Sequence, residues 1–125
     1  ESTMAKTILI LDDSAPIRQV VGIALRGAGY EVIEANDGVD GLGKLDGKKV
    51  NLIITDVNMP RMDGITFVKE VKKLPRYKFT PIIILTTESQ DHKKQEGRAA
   101  GAKAWVVKPF QPPQLLDAVS KLILP

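Results

Sequence analysis

Five short apolar runs recur along the chain, separated by longer stretches in which apolar residues return every three or four positions. The runs are Thr7–Leu11, Glu31–Ala35, Leu52–Ile54, Pro81–Thr87 and Ala104–Val107. The first, third and fourth runs contain continuous apolar residues, which is typical of strands buried on both faces of a parallel sheet. The second run is flanked by acids and fits a strand near a sheet edge. The pattern therefore predicts five strands.

The first intervening helix is predicted to begin at Ser14 or Ala15 and to be closed by the glycines at positions 27 and 29. The stripe that we expect to face the sheet consists of Ile17, Val20, Val21, Ala24 and Ala28. The second helix, indicated by Val39, Leu42 and Leu45, is expected to be weak because glycines recur through it.

The remaining three helices differ in how much apolar surface they offer. The third is predicted to end at Pro75 and to turn inward Phe67, Val68, Val71 and Leu74. The fourth, over 91–100, carries few apolar residues, so we expect it to be weakly held and to move. The apolar residues of the fifth are Leu115, Ala118, Val119 and Leu122.

Strands that alternate with helices through short connections are typical of an α/β domain with a doubly wound parallel sheet. A chain of 125 residues is long enough for one such domain with a single core. We assign the domain to residues 6–125. Residues 1–5 are expected to be disordered and to derive from the expression vector.

Acidic residues stand where two of the buried strands end. Asp12 and Asp13 follow the first strand, and Asp56 follows the third. In doubly wound folds the ligand site lies at the carboxyl ends of the strands where the strand order reverses, so these side chains converge if the first and third strands flank that point. Three carboxylates about 4 Å apart would repel one another by roughly 4 kcal/mol per pair at an effective dielectric constant near 20. Such carboxylates either stay partly protonated or hold a cation. We favour a bound divalent cation, and the oxygen ligands favour Mg²⁺.

Polar side chains at the other strand ends fit the same chemistry. Thr86 can donate a hydroxyl to a phosphate oxygen, and Lys108 can supply a positive charge. An aspartate beside Mg²⁺ can accept a phosphoryl group, because the metal neutralises charge while the carboxylate attacks.

The composition of the chain excludes cysteine chemistry and bears on nucleic-acid and membrane binding. The chain has no cysteine, which excludes disulfides and thiolate chemistry, and its net charge is +3. The basic residues are scattered and lack interleaved aromatic residues, so we interpret them as a solvated surface and expect neither nucleic-acid nor membrane binding. No apolar run is long enough to span a membrane, so we expect a cytoplasmic location.

These motifs together resemble the receiver domain of two-component response regulators. They are Asp12-Asp13, Asp56 with Met59-Pro60 and Asp63-Gly64, Leu85-Thr86, and Lys108-Pro109-Phe110. The resemblance spans Lys6 to Leu124 and is greatest to stand-alone chemotaxis receivers. It implies a flavodoxin-like sheet of five parallel strands in the order 2-1-3-4-5.

The resemblance also implies a role for each site residue. Asp56 would accept a phosphoryl group from a histidine kinase. The Mg²⁺ ligands would be Asp12, Asp13, Asp56 and the main-chain carbonyl of Asn58, with Asp12 acting mostly through a metal-bound water. Thr86 and Lys108 would contact the phosphoryl oxygens, and the Lys108–Pro109 bond would be cis. Asn58 and Glu88 would tune the lifetime of the phosphorylated state.

The family's switch position, usually tyrosine or phenylalanine, holds Trp105 in this chain. In the family, Thr86 moves toward the phosphoryl group and the aromatic side chain follows inward, which changes the surface of the fourth helix, fifth strand and fifth helix. An indole is larger and has no hydroxyl, so its inward rotation would need more room. The alternative is that Trp105 packs as an ordinary aromatic residue of an edge strand.

The leading hypothesis is therefore a monomeric signalling switch, not an enzyme acting on other molecules, with a downstream protein target that the chemotaxis likeness suggests is the flagellar motor switch. One alternative is a receiver cut from a longer DNA-binding regulator, and another is a degenerate receiver, against which the complete set of site residues argues. A dehalogenase-type aspartyl-phosphate phosphatase is disfavoured because Asn58 stands where that class needs a second acid. A nucleotide-binding fold is disfavoured because no glycine-rich phosphate loop follows the first strand.

Overall fold

The computed structural model describes residues 5–123, and the prediction for residues 1–4 lies outside this range. Five strands alternate with five α-helices, and one 3₁₀ turn precedes β4. In chain order the elements are β1 (Thr7–Leu11), α1 (Ala15–Gly27), β2 (Glu31–Ala35), α2 (Gly38–Leu45), β3 (Leu52–Thr55), α3 (Gly64–Lys72), the 3₁₀ turn (Pro75–Tyr77), β4 (Ile82–Thr86), α4 (Asp91–Ala100), β5 (Ala104–Val107) and α5 (Pro112–Leu122). The predicted alternation of strands and helices is confirmed.

All five strands are parallel and lie in the order β2-β1-β3-β4-β5. The chain reverses its direction of winding between β1 and β3, whose last residues, Leu11 and Thr55, are paired. The strand order predicted from the resemblance is therefore confirmed. Because Asp12 and Asp56 directly follow these two paired residues, the order brings the two acids to one edge of the sheet.

Alternate residues of the strands supply two cores, one on each face of the sheet. On one face Ile8, Ile10 and Ile54 pack with residues of α1 and α5. On the other face Leu9 and Ile53 pack with residues of α2 and α3. Because helices cover both faces, the central strands tolerate no polar side chain before their carboxyl ends, which explains the uninterrupted apolar runs.

The stripe predicted for α1 is partly wrong. Val20 is 50% exposed and Ala28 is exposed, whereas Leu25, absent from the predicted stripe, is fully buried together with Val21. Val21 and Leu25 are four residues apart and therefore share one face of the helix. That face, centred on these two residues, packs on the sheet, and Val20 is rotated away from it.

The predicted inward position of Leu74 is also wrong, since it is 38% exposed. The helix α3 ends at Lys72, and Pro75 opens the 3₁₀ turn instead of directly ending the helix. Tyr77 of that turn fills the core position, and its hydroxyl oxygen lies 2.9 and 2.7 Å from the carbonyl oxygens of Leu45 and Lys48, so its one proton is shared between them.

Gly41 allows α2 to pack closely against the sheet. A Cβ atom at Gly41 would overlap the side chain of Leu11 and reach 3.0 Å from Phe67. The short helix therefore lies nearer to β1 than any larger residue would allow. By contrast, α4 has a single buried residue, Gly97, as expected for a weakly held helix.

Candidate functional site

Three carboxylates converge where β1 and β3 end. Asp12, Asp13 and Asp56 each offer an oxygen within 4.8 Å of the other two. Asp12 and Asp56 are buried, whereas Asp13 is exposed. The predicted convergence of these three residues is therefore present in the structure, and the cluster opens to solvent on the side of Asp13.

Main-chain groups of the following turn orient Asp12. Its Oδ1 accepts a hydrogen bond from the Ser14 N–H at 2.9 Å. Its carbonyl oxygen accepts one from Nη1 of Arg18 at 2.6 Å, which ties the first turn of α1 to the end of β1. The Ser14 hydroxyl in turn caps α1 by accepting a hydrogen bond from the Ile17 N–H, so this side chain stabilises the start of the helix.

Asp56 is held in a similar way by the loop that follows it. Its Oδ1 accepts hydrogen bonds from the N–H groups of Val57 and Asn58 at 2.6 and 3.3 Å. Thr55 donates its hydroxyl to the Asp56 carbonyl at 2.9 Å. These contacts fix the carboxylate with its Oδ2 turned toward Lys108.

Lys108 bridges the two buried acids. Its Nζ lies 2.6 Å from Oδ2 of Asp12 and 3.0 Å from Oδ2 of Asp56. The position of this side chain depends on β4, because the Lys108 N–H donates to the Thr86 carbonyl at 2.8 Å. The Lys108–Pro109 peptide bond is cis, as the resemblance implies.

Burial and charge pairing act on these groups in opposite directions. Burial raises the pKa of Asp12, and the hydrogen bonds from Lys108 and Ser14 offset only part of this effect. Burial lowers the pKa of Lys108, but its hydrogen bonds to Asp12 and Asp56 outweigh burial and leave the pKa raised. Lys108 is therefore a charged ammonium group. An added positive charge near Asp12 would stabilise the ionised form of its carboxylate.

The donor set fits a hard divalent cation. It consists of carboxylate oxygens, two buried and one exposed, which is the chemistry that Mg²⁺ prefers, and the exposed side leaves room for water ligands. Asp12, Asp13 and Asp56 are the residues that could hold such an ion. Asn58 lies on the loop after β3 with its N–H on Asp56, close to the cluster.

Thr86 and Trp105 lie on the two strands beyond β3, Thr86 at the end of β4 and Trp105 within β5. Thr86 is fully buried, and its Oγ1 accepts a hydrogen bond from the Glu88 N–H at 3.2 Å. Nε1 of Trp105 donates to the Glu88 carbonyl at 2.9 Å. Glu88 is thus bonded through its main chain to both residues that the sequence marked as the switch.

Two features of the site were not predicted from the sequence. A Cβ atom at Gly64 would overlap the Asp56 carbonyl, so the start of α3 lies directly against the backbone of Asp56. Arg61 pairs with the buried carboxylate of Asp37 at 2.7 Å. In the sequence, each feature is marked by an Asp-Gly dipeptide in which the aspartate caps a helix: Asp63-Gly64 marks the start of α3, and Asp37-Gly38 marks the start of α2.

Within residues 5–123, no helix is both long and apolar enough to cross a membrane.

Fold and site together define a signalling domain of the two-component type, with an acidic cluster and a lysine at the switch point of a doubly wound sheet. Residues 8–120 match the family described as the response regulator receiver domain. The chain therefore belongs to the response regulator receiver domain family.

Relatives of this chain include short and long proteins. Chemotaxis protein CheY1 of Helicobacter pylori is 39% identical over 119 residues, which cover 94% of this chain and 95% of that protein. The phosphate regulon transcriptional regulatory protein PhoB of Pseudomonas aeruginosa is 36% identical over 120 residues, covering 96% of this chain but only 52% of that protein. The solved structure of chemotaxis response regulator CheY4 of Vibrio cholerae is 49% identical, with a TM-score of 0.90, and covers 95% of this chain and 99% of that one.

Proposed function

We propose that Asp56 accepts a phosphoryl group from a phosphohistidine of a histidine kinase, with Mg²⁺ held by Asp12, Asp13, Asp56 and the carbonyl of Asn58. The observation that carries this proposal is the joint placement of Asp56 in the acidic cluster and within hydrogen-bond distance of Lys108. In the transfer, the bond between phosphorus and the imidazole nitrogen breaks. A bond forms between phosphorus and a carboxylate oxygen of Asp56, and the imidazole leaves with its electron pair.

Different groups of this chain would orient the acceptor and stabilise charge during the transfer. The N–H groups of Val57 and Asn58 hold one oxygen of Asp56, which orients the carboxylate for in-line attack. The ammonium group of Lys108 stabilises negative charge on the transferred group. Mg²⁺, when bound by the acidic cluster, would supply further neutralisation of that charge. Thr86 stands at the end of the neighbouring strand, where its hydroxyl can donate to a phosphoryl oxygen, because the bond from the Glu88 N–H uses only a lone pair of Oγ1.

In this proposal, phosphorylation changes the position of Trp105 and the surface formed by α4, β5 and α5, and this surface binds a downstream protein partner. The protein would act in the cytoplasm. Support for this assignment comes from the shared bond to Glu88 and from the weak attachment of α4. In this proposal Asn58 and Glu88 tune the lifetime of the phosphoryl group.

A chemotaxis role, with a monomer acting on a flagellar motor component, is the finer proposal. It is supported by the likeness to the Helicobacter pylori chemotaxis protein, which is 39% identical, and to the Vibrio cholerae chemotaxis response regulator, which is 49% identical. The receiver of a longer transcriptional regulator is a second candidate, because the chain also matches about half the length of the phosphate regulon protein. The two differ in the partner, and the proposed phosphorylation chemistry is the same in both.

Intact mass after incubation with Mg²⁺ and acetyl phosphate tests the phosphorylation step. The expected result is one phosphoryl adduct on the parent protein and on Asp117→Asn, an exposed acid on α5, and none on Asp56→Asn or without Mg²⁺. An adduct of equal yield on Asp56→Asn would overturn the assignment of the acceptor. The absence of any adduct, where a control receiver is labelled, would overturn the proposed function.

A further inference from the structure

The helix α4 approaches the sheet through a glycine. Gly97 is the buried residue of this helix, and a Cβ atom there would lie 2.8 Å from Cζ3 of Trp105 and 2.9 Å from Cδ1 of Ile84. Both distances are shorter than real carbon contacts. Ile84 is fully buried, so its terminal methyl group has little room to move. The indole is rigid and only partly buried, so an added methyl group would displace it as a whole ring.

The opposite edge of the same indole is fixed by a hydrogen bond. Nε1 of Trp105 donates to the Glu88 carbonyl, and the Glu88 N–H donates to Oγ1 of Thr86. The six-membered ring therefore fills the slot left by the missing side chain at position 97, while the pyrrole nitrogen holds the loop that begins at Thr86. One rigid side chain connects α4 to that loop.

We propose that Gly97 is a positioning residue that seats the indole of Trp105 and thereby sets the coupling between Thr86 and α4. A side chain at position 97 displaces the ring and breaks its bond to Glu88. The β4–α4 loop is then released from β5, and occupation of the Asp56 site no longer moves α4 through Trp105. This inference deepens the proposed function and rests on it for the coupling, whereas the seating of the indole stands on the contacts alone.

Gly97→Ala tests the seating directly, because Trp105 is the single tryptophan of the chain. We expect a red-shifted emission, stronger quenching by acrylamide and a urea midpoint lower by about 1 M, as overpacking predicts. The matched control is Gly43→Ala, a glycine inside α2 with no atom within 4 Å of the added methyl group. It should leave emission and quenching unchanged and raise the urea midpoint, since alanine favours helix.

A second pair of variants separates a clash with the indole from a general loss of folding. In the Trp105→Tyr background, the fused ring nearest to position 97 is absent, so Gly97→Ala should lose the part of its destabilising effect that comes from the ring and keep the part that comes from Ile84. Ile84→Val removes the Cδ1 contact but keeps the indole, so it should leave the emission shift of Gly97→Ala in place. Equal destabilisation by Gly97→Ala with tryptophan or tyrosine at position 105 would overturn the proposal, as would unchanged emission.

The coupling is read from the change in Trp105 fluorescence on adding acetyl phosphate with Mg²⁺, beside the adduct yield measured by mass. For Gly97→Ala we expect the parent adduct yield with a smaller fluorescence change. An unchanged fluorescence response would overturn the coupling. Failure of the parent to form an adduct would instead refute the proposed function, and the urea and quenching results would still decide the seating.

Discussion

Arg61 and Asp37 form a bidentate ion pair, with Nε to Oδ2 at 2.7 Å and Nη2 to Oδ1 at 3.1 Å. Asp37 is buried and also caps α2 by accepting from the Asp40 N–H at 2.8 Å. Arg61 lies on the β3–α3 loop with a positive φ of 64°, and the neighbouring Met62 carbonyl accepts from the Gly38 N–H at 3.2 Å. The loop that carries Asn58 is therefore attached to the start of α2.

Arg61→Ala should weaken Mg²⁺ binding although Arg61 does not contact the acidic cluster. Loss of the ion pair frees the β3–α3 loop, and changes in residues that support metal ligands commonly reduce metal affinity by about tenfold or more. Calorimetric titration with Mg²⁺ measures the effect. Arg76→Ala removes an exposed arginine from the 3₁₀ turn and should bind Mg²⁺ like the parent. Equal affinities for both variants would contradict the supporting role of Arg61.

The same pair predicts a specific dependence of stability on pH. The hydrogen bonds from Arg61 and Asp40 lower the pKa of Asp37 from its ordinary value of 3.8. A lowered carboxyl pKa contributes stability that is fully present above the unfolded-state value and is lost as pH falls through the folded-state value. The stability difference between the parent and Arg61→Ala should therefore be constant near neutral pH and shrink below pH 3.8. Urea unfolding at a series of pH values measures it, and a difference that grows on acidification would refute the assignment.

Lys108→Ala should destabilise the metal-free protein and increase its response to Mg²⁺. The ammonium group pairs with two buried carboxylates, and removing one partner of a buried pair costs about 3 kcal/mol. The freed oxygens then bind the cation without competition, so Mg²⁺ should raise the melting temperature more in this variant than in the parent. Lys103→Ala, at an exposed lysine before β5, serves as the control. Identical Mg²⁺-dependent shifts in the parent and in Lys108→Ala would show that Lys108 does not compete for these oxygens.

Gly64→Ala should prevent the native loop from forming. The added methyl group would overlap the Asp56 carbonyl, a main-chain atom that cannot move without displacing the acceptor residue. Overpacking of this kind costs about 1 to 3 kcal/mol or more, and we expect loss of the adduct on Asp56 as well. Gly27→Ala, where the methyl group meets no atom within 4 Å, is the matched control for urea unfolding and for labelling. Normal labelling of Gly64→Ala would contradict the close approach.

Much of the fold could be predicted from the sequence because burial on both faces leaves a local signature. The runs at Thr7–Leu11, Glu31–Ala35 and Ala104–Val107 coincide with β1, β2 and β5 as the structure has them. The errors lie in helix faces. Val20 and Leu74 are apolar at plausible spacings, but the face that packs is set by how each helix crosses the sheet, and Leu25 and Tyr77 fill the core positions.

The acids of the candidate site could be predicted because a carboxylate directly after a buried strand is costly to desolvate unless it binds a cation or caps a helix. Their convergence followed from strand order, which the likeness to a known family supplied. Arg61 could not be predicted as a partner of Asp37, because a pair 24 residues apart leaves no periodic signal. Gly97 likewise resembles a helix-weakening glycine until the indole of Trp105 is placed against it.

The sequence by itself determined the five strands, the limits of α1 and α4 and the residues able to hold a cation, since these depend on local hydrophobic pattern, capping and side-chain chemistry. Only the tertiary structure decided which groups meet. Lys108 bonds to acids 96 and 52 residues away, and Trp105 contacts Glu88 and Gly97 on separate elements. Such contacts are decided by the distances and angles at which helices cross a twisted sheet. Those distances and angles result from packing over the whole domain, and no single segment encodes them.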